Sequence, residues 1–421
     1  VKFFIIFLFA ALLLPAQNRP LEPRLAHEKT DDRIKTFEKL LAASPDDLKL
    51  QSGLISAYLQ KVRETSDFGY LDRASKITDR ILTKEGGNFT ALRFENEIDL
   101  QRHNFKSVAD RAEDMLKYNP SDAGTWGNLG DALMELGEYQ RAGEAYLRMF
   151  ALRPGLGSYN RLAWHRFVTG DAPSAIALMR DAVDAGDPAP ENTAWCYAEL
   201  GDMYFKTGKL SEATEAYGSA LDLFPTLHRA LAGLGQVEAA QGHTTAAIHY
   251  YERAQSIVPL AQYAGTLEDL YTAAGLPAKA REQRDLIGLV EKLGKITNEK
   301  TNRNLALLLA DHNRDLPIAL ELMRAELPVR GDVYTWDAYS WVLYKSGRLD
   351  EAKAASEKAL RFHTPEPTFY AHARQIREAK GDGLLCPPTA LPPSERLLSG
   401  QSCPSPLALY DNPKSLSLQK P

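Results

Sequence analysis

Asp311 and His312 stand side by side in ADHNRD (310–315), at the end of the apolar run NLALLLADHNRD (304–315). An aspartate beside an imidazole and a short polar patch is the base-and-orienter half of a hydrolytic centre, in which the histidine takes a proton from a nucleophile or water. The other half has to converge on it in space. No local module supplies it: there is no phosphate-cradling glycine loop, no His-Glu-x-x-His pair, no cysteine pairs at zinc spacing and no serine between glycines at a strand-to-helix turn. The histidines are scattered, His103 in a loop position, His165 and His249 within helical stretches, His363 and His372 flanking a junction. The competing reading is a helix end. A histidine in a last helical turn meets exposed carbonyls, Asp315 caps the helix that follows, and Pro317 falls in that helix's first turn, where its missing donor is tolerated.

The elements around the pair decide between these readings. The clearest stretch is TWGNLGDALMELGEYQRAGEAYLRMFALRP (125–154); counted from Ala123, it places Trp126 at position 4, Leu129 at 7, Gly130 at 8, Gly137 at 15, Tyr139 at 17, Ala142 at 20, Tyr146 at 24 and Pro154 at 32. The same punctuation returns over 194–225, with Leu200, Gly201, Gly208, Ala213, Tyr217 and Pro225, and over 228–259, with Leu234, Gly235, Gly242, Ala247 and Tyr251. A fourth copy occupies 333–364. The residues at position 20 are Ala74, Val108, Ala142, Ala175, Ala213, Ala247, Ala280, Ala319 and Ala352, mostly 33 or 34 apart, with longer steps of 38 and 39 that place insertions near 186–192 and 291–300.

This pattern resembles the tetratricopeptide repeat, a unit of two antiparallel helices. Small residues at positions 8 and 20 let the two backbones approach, larger apolar ones fill the space between units, and glycine at position 15 lets the chain leave the first helix in a left-handed conformation. The expected fold is all-α, a superhelix of about nine helix pairs over 29–381 in which each pair buries its apolar side against its neighbours. A lone helix over 29–44 and an unpaired first helix over 367–381 are the irregular ends. The segments YLQKVRETSDFGYLDRA (58–74) and LADHNRDLPIALELMRAELPVRGDVYTWDAYSWVLYKSGRLDEA (309–352) together resemble a group of exported bacterial repeat proteins of poorly defined function. The resemblance implies a helical scaffold that binds proteins or peptides, with no catalytic residue and no cofactor.

In such a solenoid the first helices line the concave surface, and positions 2, 5, 9 and 12 turn away from the paired helix. They select Asp131, Met134, Trp164, Phe167, Trp195, Asp202, Phe205, Asn304, Tyr334, Asp337, Trp341 and Tyr344 as candidate partner contacts, with Arg229, Gln236, Leu308 and Asp311 beside them and His312 at the margin. Aromatic groups dominate protein contacts, and Asp131, Asp202, Asp269 and Asp337 favour a basic or amide-rich ligand. The alternative is that Trp164, Trp195 and Trp341 pack across adjacent repeats.

The totals narrow the partner. With 421 residues, 44% hydrophobic, 25% charged and a formal charge of -5, the chain has material for a sizeable core and no bulk attraction to nucleic acid or anionic lipid. The first sixteen residues, VKFFIIFLFAALLLPA, carry one lysine and then an apolar run, the order of a secretory signal peptide cleaved after Ala16. An uncleaved anchor is the alternative, and membrane contact is expected only in that case. Residues 17–28 read as a linker. Cys196 lies in an apolar helix, whereas Cys386 and Cys403 precede prolines in an aperiodic tail (382–421) and could pair in an oxidising compartment. The expectation is an exported, periplasmic or extracellular, non-enzymatic adaptor. A structural envelope component without a groove ligand is the alternative, and a hydrolase the third.

Overall fold

The computed structural model describes residues 28–187, 189–296 and 302–382. Among them every regular element is helical. A solitary α1 (Thr30–Ala43) leads into nine antiparallel pairs: α2 (Leu48–Thr65) with α3 (Gly69–Lys84), α4 (Phe89–Gln101) with α5 (Phe105–Tyr118), α6 (Ala123–Leu136) with α7 (Tyr139–Leu152), α8 (Leu156–Val168) with α9 (Ala172–Ala185), and α10 (Pro190–Lys206) with α11 (Leu210–Leu223). The series continues with α12 (His228–Ala240) and α13 (Thr244–Ile257), α14 (Ala261–Ala273) and α15 (Pro277–Ile296), α16 (Arg303–Asp311) and α17 (Leu316–Glu326), and α18 (Val333–Lys345) and α19 (Leu349–Ala359). A 3-10 turn (Leu360–Phe362) then leads to the unpaired α20 (Pro367–Lys380). The pairs are repeats one to nine below. The signal segment, most of the linker, the tail and its two cysteines lie outside the described residues.

Each pair closes for the reason its spacing predicts. Eight of the nine position-20 side chains have no exposed surface and Ala280 keeps 3%. At position 8 the glycine is a close approach: a methyl group on Gly130 would lie 2.2 Å from the Tyr146 ring, and one on Gly201 2.6 Å from Tyr217. Asp122 caps α6 by accepting from the Thr125 N–H at 2.8 Å, and Asp332 caps α18 through Thr335 in the same way. Asp315 does not cap α17. Its backbone is left-handed (φ 39) and its side chain accepts no capping hydrogen bond, so the turn is made by Asn313 and Asp315 in left-handed conformations instead.

The insertion near 186–192 has a defined role. It starts α10 early and carries Glu191 to the guanidinium of Arg63 at the end of α2, with two bonds of 3.2 and 3.0 Å across four repeats. The insertion near 291–300 extends α15 and runs partly outside the described residues. Beyond it the superhelix meets its own earlier turn. The turns inside repeats two to four lie against the connections on either side of repeat nine. Gly331 donates its N–H to the Glu135 carbonyl at 3.0 Å, Arg330 Nε reaches the Glu135 carboxylate at 2.7 Å, and its guanidinium covers the Phe105 ring. Val333, Phe369 and Tyr370 therefore belong to the same apolar core as Phe105, Leu133, Tyr139 and Tyr146.

Candidate functional site

The Asp311–His312 pair is split between different partners. Asp311 accepts from the Trp341 indole N–H at 2.7 Å. His312 caps α16, its Nδ1 2.9 Å from the Leu308 carbonyl and its Nε2 3.1 Å from Asp269 Oδ1. Both ring nitrogens face acceptors, an arrangement that the doubly protonated imidazolium satisfies and that leaves no lone pair for base chemistry. The hydrogen bond to Asp269 raises the histidine's pKa against the opposing effect of burial. Among the described residues no group of three or more His, Cys, Asp or Glu side chains is placed to hold a metal ion.

The inner face is stitched from repeat to repeat. Asp131 accepts from the Tyr146 hydroxyl of its own pair at 2.9 Å and from Arg161 of the next repeat at 2.8 Å from both Nε and Nη2. Asp202 repeats the arrangement with Tyr217 at 2.6 Å and Arg229. Burial opposes the charge on Asp202, but Arg229, Lys206 and the Tyr217 hydroxyl hold its pKa below the usual carboxylate range. Arg303 binds Asp332 at 2.9 Å, Asp269 binds His312, and Asp337 binds His372 Nδ1 at 3.0 Å. The carboxylates expected to favour a basic ligand are thus each matched by a cation or histidine of another helix.

The predicted partner-contact positions divide by burial. Met134, Phe167, Phe205, Asp337 and Trp341 are buried. Trp341 is sandwiched within the scaffold, with the His372 ring stacked at 4.0 Å, Tyr344 at 5.1 Å and Lys345 Nζ 4.7 Å from its centroid. Trp164, Trp195, Tyr334 and Tyr344 are half-buried, as are Asp131 and Asp202, whereas Asn304 is exposed. Trp195 carries Arg229 over its ring at 4.7 Å. Trp164 stacks on Phe167 and, across the closed superhelix, on Tyr334 at 5.9 Å and 14°.

A pocket of about 250 Å³ opens across the first helices of repeats three to five, lined by Asp131, Tyr146, Asn160, Arg161, Trp164 and Glu199. Asn160 spends its amide donors on sulfur atoms, Cys196 Sγ at 3.2 Å and Met179 Sδ at 3.9 Å, which are weak acceptors. Glu97 is exposed nearby, within the electrostatic reach of Arg63, Arg93 and Arg161. Burial raises the Cys196 thiol pKa to about 12, so this cysteine is packing rather than nucleophile. Position counting missed Arg161 and Glu199. Their signal was a charge one repeat away from an opposite one, visible as the separation of 30 in both Asp131–Arg161 and Glu199–Arg229.

A family model described as tetratricopeptide repeat matches residues 99–156 and 198–262. No curated protein matches the chain. Among solved structures, "APC/C hetero-tetramer Cut9-Hcn1" aligns with 15% identity and a TM-score of 0.49 over 83% of this chain, which spans 60% of that one. The structure of "PilW, widely conserved type IV pilus biogenesis factor" aligns at 18% identity and 0.42, covering 48% of this chain and 92% of its own. MamA aligns at 22% and 0.32, covering 38% and 92%. Residues 99–156 and 198–262 thus carry the tetratricopeptide-repeat signature, within a chain whose described residues form an α-solenoid of helix pairs.

Proposed function

We propose that this chain is a non-enzymatic scaffold, exported through its N-terminal segment, that holds a protein or peptide segment against the inner face of its superhelix. The observation that carries the reading is the open pocket of repeats three to five. It offers one aromatic face, one amide with weak partners and ionic groups of both signs in a confined space, which is the chemistry that meets a peptide backbone and mixed polar side chains. A small, low-lying cluster of this kind orients a segment, while the surrounding ion pairs keep the helices in place. Neither a nucleic acid nor a cofactor is required.

The test is a photo-crosslinking residue at Trp195, on the inner face, against one at Leu147, which is 52% exposed on the second helix of repeat three. In cells that make the protein, crosslinks to a partner are expected from position 195. Crosslinks from position 147 alone, or from residues 382–421 alone, contradict an inner-face partner. Export predicts that the secreted protein has lost residues 1–16, which intact-mass measurement of the fractionated protein reads directly; full-length protein confined to the cytoplasm contradicts it.

A further inference from the structure

Between repeat nine and α20 the chain runs through FHTPE (362–366), in which Phe362 ends the 3-10 turn, His363 is left-handed (φ 52) and the Glu366 N–H donates to the Thr364 carbonyl at 2.8 Å, and alternate residues of this turned segment contact successive repeats. Phe362 packs edge-on against Tyr139 of repeat three, with ring centroids 5.0 Å apart at 87°. Thr364, fully buried, donates its hydroxyl to the Val168 carbonyl at the end of α8 in repeat four at 2.6 Å. Glu366 forms an ion pair of 2.8 Å with Lys206 at the end of α10 in repeat five. Three side chains of one short turned segment thus address three repeats in turn. Pro365 and Pro367 stiffen the segment on either side of the carboxylate.

The receiving surface is built as a binding site is built. Lys206 Nζ lies 5.8 Å from the Phe167 ring centroid and 5.6 Å from that of Tyr334, with Trp164 stacked behind them. Tyr334 places a buried hydroxyl there that has no hydrogen-bond partner. A carboxylate arriving on Lys206 with a hydroxyl two residues before it and an aromatic ring four before it reproduces these three side-chain contacts.

We infer that 362–366 is an internal pseudo-ligand, and that the surface formed by Tyr139, Val168 and Lys206 receives a partner segment with an aromatic, a hydroxyl and a carboxylate side chain at alternate positions. The inference deepens the inner-face reading above and rests on it. The partner competes with the chain's own segment, so closure of the superhelix and binding at this surface exclude one another.

The probe is a fluorescent synthetic peptide of residues 361–367, RFHTPEP, titrated by anisotropy against the full chain. In the receiving chain the internal segment is vacated by Phe362→Ser, Thr364→Ala and Glu366→Ala; Glu366→Ala alone serves if the triple variant does not fold. Binding at least tenfold tighter than to the unmodified chain is expected. Lys206→Glu in the vacated chain abolishes it, and a peptide with lysine in place of the glutamate restores it. Equal titrations for vacated and unmodified chains, including no binding by either, overturn the inference, as does binding that Lys206→Glu leaves unchanged. Either failure leaves the crosslinking result at Trp195 standing, since that side chain lies outside this surface.

Discussion

The Val333 N–H donates to the Tyr139 hydroxyl at 2.9 Å, joining residues 194 positions apart. Both are buried, and the bond is the first backbone contact of repeat nine with the turn of the superhelix beneath it. Tyr139→Phe keeps the ring and removes the acceptor. It leaves a buried N–H unpaired, which costs about 1 to 3 kcal/mol. Hydrogen exchange of the Val333 amide, read by NMR, is expected to accelerate by the corresponding factor while amides in repeats five to seven keep their protection.

His372 fastens α20 to α18. Burial opposes its charge, but Asp337 at 3.0 Å and Asp311 outweigh that effect and the repulsion of Lys345, raising its pKa above the ordinary 6.5. A raised histidine pKa means that the folded state holds the proton more tightly than the unfolded one. Its contribution is therefore complete below about pH 6.5 and is lost as the pH climbs through the folded-state value. Exchange protection of α20 is expected to fall on going from mildly acidic to alkaline solution, and His372→Gln to flatten that dependence.

His103 acts with the opposite sign. It sits in a left-handed turn (φ 60), and burial, with Arg330 and Arg303 nearby, lowers its pKa to about 4. The unfolded chain binds this proton first as the pH falls from 6.5, so stability is complete above that value and declines towards pH 4. His103→Asn keeps a residue that tolerates the left-handed conformation and removes the titration. Thermal unfolding followed between these two pH values is expected to show a shallower acid decline in the variant.

The repeat was legible because it is local. Gly130 against Tyr146 and Ala142 against its facing helix are contacts within one pair, so spacing in the sequence reports them directly. The inner-face ion pairs were half legible. Asp131 stood out by position, but its meaning depends on Arg161, one repeat on, and counting positions within a unit does not compare neighbouring units. Trp341 shows the limit of position counting: its place on the first helix was correct, yet the unpaired α20 covers it with His372. The closure onto repeats two to five was not legible. It joins segments far apart in the chain, and nothing in the local pattern of Gly331 or Thr364 marks a partner nearly two hundred residues away.

Self-closure is tested most directly by one pair of glycines. Gly137 and Gly208 occupy the same position in repeats three and five and have nearly the same backbone, φ 78 and φ 77. Alanine at either costs about 1 to 2 kcal/mol for the left-handed conformation. A methyl group at Gly137 also meets the Gly331 carbonyl oxygen at 2.4 Å, whereas one at Gly208 has nothing within 4 Å. The measurement is hydrogen exchange by mass spectrometry on both full-length variants. A closed superhelix predicts that Gly137→Ala, and not Gly208→Ala, deprotects residues 330–370 as well as its own turn, with a further loss of about 1 to 3 kcal/mol from the collision. Equal, purely local deprotection by the two variants contradicts closure.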